Sequence, residues 1–92
     1  MSSINYNKRF YAPITIKDVG IGGGEKYFIS DKNHNSDVFC MVGYIYKVCL
    51  IMPRGNKITG VFNDANDYYI FISGKKYSYS NSDLVVISRE KA

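Results

Sequence analysis

Basic residues and tyrosines are the side chains here whose types and spacing could do chemistry. Arg54 and Lys57 flank one turn-rich stretch, Lys75 and Lys76 flank another, and Lys8 and Arg9 lie near the start of the chain. Tyr44, Tyr46, Tyr68, Tyr69, Tyr77 and Tyr79 are interleaved with them, six of the nine tyrosines. Ammonium and guanidinium groups meet phosphates, while exposed phenol rings stack on bases at ~1–3 kcal/mol per base. The expected nucleic-acid-binding set is Arg54, Lys57, Lys75, Lys76, Tyr44, Tyr46, Tyr68, Lys8 and Arg9. The competing assignment is plain: turn lysines are commonly only solvated, and tyrosines in a small domain commonly fill the core with a wet hydroxyl. Nine tyrosines exceed what so small a core is expected to bury.

Other chemistries find less support. Gly20, Gly22, Gly23 and Gly24 suggest a phosphate loop, but Glu25 stands where a dinucleotide fingerprint needs its third glycine. A Tyr-Phe-Ile strand follows instead of a helix, so a hairpin loop is the better reading. His34 is the single histidine. With Cys40 and Cys49 it makes a zinc set only if the fold gathers all three, and a solvated loop histidine is the reading adopted. A cysteine nucleophile needs an exposed, electropositive setting, whereas Cys40 and Cys49 lie in apolar strand sequence. No enzyme, metal or cofactor is expected. The two thiols are read as free and buried or half-buried, in a reducing, cytoplasmic setting. The opening MSSINYNKRF lacks the apolar segment of a signal peptide.

These residues must be positioned by strands. Ninety-two residues make one domain with a modest core. Hydrophobic residues at 46 % and charged residues at 22 % exclude low-hydropathy disorder. The net charge of +4 attracts polyanions without identifying one. No apolar run is long enough to span a bilayer as a helix, so no membrane partner is expected. Residues 1–12 read as a loose basic arm and 13–92 as one domain. Strands are expected over 14–19, 26–30, 58–63, 68–73, 76–80 and 84–88. The 31–37 stretch reads as a loop. The apolar heart, Val38 to Met52, carries β-branched and aromatic residues on both alternating faces, so its buried face stays open. Gly43 marks a bend within it. Turns are expected at 53–56, 64–67 and 74, with a single 3₁₀ turn at 81–83. No stretch of ten or more residues has helical periodicity. The expectation is an all-β fold, a small barrel of five to six antiparallel strands with an N-terminal extension.

From Val42 the order of segments resembles an SH3-like small barrel. VGYIYKVCLI is similar to its opening strand, ITGVFNDANDYYIF to its next hairpin, and SGKKYSYSNSDLVVIS to its closing unit. In that likeness Tyr77 and Tyr79 take inward positions, and Leu84 takes the buried leucine after the polar turn. Tyr44 departs from the pattern where an acidic residue is frequent, Pro53–Lys57 is shorter than the usual first loop, and residues 1–37 lie outside it. The resemblance implies a binding module. Its members include nucleic-acid binders of the KOW and Tudor kinds, peptide binders and phage accessory proteins. Nucleic acid is thus the expected partner, and the alternative is a host protein, bound by a small interaction or inhibitor protein of the phage type. Two basic turns separated by two strands should share one end of a meander as a single electropositive rim, with Asp64 and Asp67 at the other.

Overall fold

Alternation builds the centre of the molecule. Tyr46, Val48 and Leu50 on one strand, and Leu84 and Val86 on its neighbour, are all buried, while the intervening Lys47 is exposed and Cys49 and Val85 are half-buried. A period of two places one set against the core and the other on the opposite face. The computed structural model describes residues 7–32 and 37–92. His34 lies outside the described residues, as do residues 1–6.

The described chain holds nine strands and no helix. They are β1 (Lys8–Phe10), β2 (Ile14–Gly22), β3 (Glu25–Asp31), β4 (Asp37–Met41), β5 (Tyr44–Ile51), β6 (Lys57–Ala65), β7 (Tyr69–Ile72), β8 (Lys75–Ser78) and β9 (Asp83–Lys91). A six-stranded antiparallel sheet runs β1-β9-β5-β6-β7-β8, and a three-stranded one runs β2-β3-β4. The all-β expectation holds. The closed barrel of five to six strands does not, because the two sheets share no ladder and stay open. They bury one common core instead, which includes Ile16 and Ile29 from the small sheet and Phe10, Leu50, Ile70 and Leu84 from the large one.

Several local readings are corrected. Lys8–Phe10, read as part of a loose arm, forms β1 because Phe10 is fully buried and its backbone pairs with Leu84. Arg9 secures this strand: its guanidinium donates to the Asp83 carboxylate at 2.6 Å, and the Ala12 N–H donates to the same side chain at 2.7 Å. The apolar stretch 38–52 divides at Val42–Gly43, where the chain leaves the small sheet for the large one. Asp64 and Ala65, expected in a turn, continue β6 and pair with Phe71 and Ile70, and the turn falls at Asn66–Tyr68 instead. The 81–83 segment is not 3₁₀ helix. The Ser82 N–H donates to the Tyr79 carbonyl at 3.0 Å, and Asn81 takes a φ of 60°, closing a β-turn.

Two tyrosine hydroxyls join the sheets. Tyr27 on β3 donates to the Asp64 carboxylate on β6, and its ring meets Phe62 edge-on, centroids 5.0 Å apart. Burial first, and then this hydrogen bond, push the Tyr27 hydroxyl well above the usual phenol range. On the other side the Met41 N–H of β4 donates to the Tyr46 hydroxyl at 2.9 Å.

Candidate nucleic-acid interface

The β7–β8 hairpin gathers the largest share of the expected site. Its loop is the two-residue Ser73–Gly74 turn, with φ values of 49° and 83°. Both central residues in the left-handed region make a type I′ turn, which matches the twist of the strands it joins and favours glycine at the second position. Lys75 and Lys76 follow at once. Lys76 pairs with Phe71 and lays its ammonium 4.5 Å from the centre of the Tyr69 ring.

Tyr68 completes the cluster. The Asn66 side-chain oxygen accepts the N–H groups of Tyr68 and Tyr69 at 2.9 and 2.8 Å, and its backbone carbonyl accepts the Tyr79 hydroxyl at 2.7 Å. This closed turn holds Tyr68 outward, 70 % exposed, beside a Tyr69 that is 39 % exposed. The Tyr69 ring and the Lys76 ammonium therefore share one face of the hairpin, with Tyr68 beside them in the turn, while Lys75, in register with Ile72, lies on the other face; neither lysine has an ion pair among the described residues. Such a surface can stack bases and meet phosphates together.

The remaining expected residues go elsewhere. Tyr46 is a correction: it is 3 % exposed, its ring in the core and its hydroxyl on Met41, so it offers no stacking face on the surface. Tyr44 is exposed and carries the Arg89 guanidinium 4.4 Å from its ring centre, at the far end of β5. Arg9 is committed to Asp83 and also lies 4.9 Å from the Tyr11 ring. Lys8, on the same strand, lies 5.4 Å from the Phe10 ring. Arg54 and Lys57 are exposed at the β5–β6 turn.

A single rim of four cations does not form. β7 and β8 have four residues each against nine in β6, and β7 pairs only with the second half of β6. The Ser73 N–H donates to the Val61 carbonyl at 2.8 Å, so the β7–β8 turn stops midway along β6. Lys57 lies four residues further along β6 from Val61, roughly 13 Å at ~3.3 Å per residue. Asp64 does lie towards the opposite end of β6 from Lys57, bonded to Tyr27.

Three contributors escape the sequence reading of the site. Tyr69 is picked out there as aromatic but left out of the set, Asn66 is read as turn material, and Arg89 is not considered. Asn-Asp before two tyrosines is a recognisable side-chain-closed turn. Arg89 carries no comparable signal, since its approach to Tyr44 depends on the β5–β9 register.

The Cys40 thiol does not read as a nucleophile. Cys40 and Cys49 are both free, and burial pushes the Cys40 thiol up to about 12. Among the described residues, no three histidine, cysteine or carboxylate groups gather closely enough to hold a metal ion, and no helix is long and apolar enough to cross a membrane. The chain matches no family model, no curated protein and no solved structure.

Proposed function

We propose that this protein is a non-enzymatic, cytoplasmic binding module for single-stranded nucleic acid, engaged through the β7–β8 hairpin. The observation that carries the reading is the Lys76 ammonium on the half-exposed Tyr69 ring, next to a largely exposed Tyr68 held out by Asn66. A net charge of +4 adds long-range attraction. The SH3-like resemblance of residues 42–88 belongs to the same proposal. Its opening strand, hairpin and closing unit fall on β5, β6–β7 and β8–β9, and the closing strand lies beside the opening one.

Binding of a labelled oligonucleotide over a salt series tests this. Single-strand affinity falls on log–log axes with a slope of about −0.7 per phosphate neutralised. Replacing Lys75 and Lys76 by Glu should flatten that slope. Tyr69→Ala should weaken binding about 5- to 150-fold, the loss of one stacked base. No affinity at low salt refutes the proposal.

A second reading has its own support, on the face of the large sheet turned away from the core. There Ile45 and Val61 are 37 % and 39 % exposed, with half-buried Cys49, Ile51 and Val85 between Lys47 and Lys57. An apolar patch with a charged border suits a protein partner, as for an inhibitor of a host factor. Binding of that kind would resist salt.

A further inference from the structure

At the seam between the sheets lies a cleft of about 260 Å³. Its floor is Tyr27, Cys40, Tyr46 and Phe62, all buried, and its rim includes Lys26, Tyr44 and Asn63. The volume falls below the ~300–1,000 Å³ typical of drug-sized ligands and suits one ring system. The walls are aromatic, which favours a flat π-face. Among the described residues no carboxylate lines the cleft.

The side-chain polar groups of the floor and rim are mainly donors. The Tyr46 hydroxyl accepts the Met41 N–H and keeps its own proton to give. The Asn63 side-chain oxygen accepts the Gly74 N–H at 2.7 Å, leaving its two N–H groups for a ligand. Lys26 holds Asp18 at 2.8 Å and has further N–H groups to offer. Arg89 lies on the ring of Tyr44 and is in register with Tyr46. The site therefore matches a planar, acceptor-rich ring.

Asn63 also ties the cleft to the proposed strand-binding surface, because the Gly74 that it holds immediately precedes Lys75. We propose that the cleft takes one unstacked nucleobase, an inference that rests on the nucleic-acid reading. The hairpin then holds the rest of the strand, and the cleft holds a single base out of it.

Amide NMR titration of the full chain tests this with three probes: thymidine 5′-monophosphate, an oligothymidine, and the same oligomer with one base removed to leave an abasic sugar. The expected result is that the mononucleotide shifts the amides of Met41, Tyr44 and Asn63, and that Tyr44→Ala weakens its binding at least about tenfold. Val42→Trp provides a second, independent variant: Val42 lines the same cleft and is 49 % exposed, so a large ring there blocks the opening with the fold intact. Tyr69→Ala should leave mononucleotide binding unchanged while it weakens the oligomer. Mononucleotide binding that survives both cleft variants overturns the inference, as does tyrosine amide, a mimic of a protein side chain, entering the cleft in place of the nucleotide. If the oligomer binds but the mononucleotide does not, the base site fails and the strand-binding proposal stands. If neither binds, both fail.

Discussion

Gly60→Ala separates two opposing effects whose sizes can be read from the structure. Gly60 has no positive φ, so alanine fits its backbone, and the loss of chain entropy in the unfolded state alone would stabilise by ~0.4–1 kcal/mol. The space around it argues the reverse. A methyl group at Gly60 would stand 2.2 Å from the Ser73 Oγ and 2.9 Å from the Ile72 Cγ2. The first distance is more than an ångström inside normal contact, ~3.5 Å. Ser73 cannot yield freely, because its Oγ accepts the Val61 N–H at 3.0 Å, and Ile72 is 1 % exposed. Overpacking at ~1–3 kcal/mol with one lost hydrogen bond at ~0.5–1.5 kcal/mol, less the entropic gain, gives a net loss of roughly 0.5–4 kcal/mol. For a domain of this size each kcal/mol lowers the melting temperature by ~4–8 °C, so thermal unfolding followed by circular dichroism should show a fall of at least about 2 °C. Adding Ser73→Gly removes the nearest clash and should recover much of the loss, a coupling that a double-mutant cycle measures. If Gly60→Ala melts at or above the parent temperature, the β7–β8 turn is not seated on β6 as described, and the placement of Lys75 and Lys76 falls with it.

Three further outcomes are expected. Leu84→Ala should cost about 2–5 kcal/mol in chemical denaturation, since Leu84 is fully buried opposite Leu50 and Phe10, and a loss under about 0.5 kcal/mol would place it on the wrong face. Asp83 sits below the usual carboxylate range: burial works against its charge, but the Ala12 N–H and the Arg9 guanidinium together outweigh that. A depressed folded value contributes stability above the unfolded value near 4 and loses it as pH falls through the folded one, so Asp83→Asn should flatten the decline in melting temperature below about pH 4; an unchanged decline would refute it. A thiol reagent should label half-buried Cys49 ahead of Cys40 in the native protein and both rapidly after unfolding, and prompt labelling of native Cys40 would contradict its burial.

Much of the strand pattern is legible because glycine and asparagine turns punctuate it. The hairpins around Gly23–Gly24 and Ser73–Gly74 fall where the residues ask for them. Ile45, Cys49 and Ile51 explain why the buried face of β5 is not legible: the outer face is nearly as apolar as the inner one, and only the pairing with β6 and β9 selects Tyr46, Val48 and Leu50. β1 escapes notice because three residues carry no periodicity, and its burial depends on a strand far along the chain. The basic turns are visible as residues, but their separation is not, since it follows from how far β7 runs along β6. Tyr46 and Tyr68 are indistinguishable as letters, yet one fills the core and the other is solvent-exposed, because β5 is central in the sheet and the Asn66–Tyr68 turn is not.

The position of β9 governs how the chain can be made. β9 lies between β1 and β5, yet it leaves the ribosome after both. The β2–β3–β4 and β5–β8 segments are joined by short loops and can pair as they emerge. β5 meanwhile keeps one flank of unmatched N–H and C=O groups, and β1, whose one ladder is with β9, has nothing to pair with. An open apolar flank is a template for another chain's strand. Arg9 and Asp83, 74 residues apart, close only once β9 is made, so the nascent protein carries that open flank from the completion of β5 at Ile51 until Asp83 and the residues after it are added.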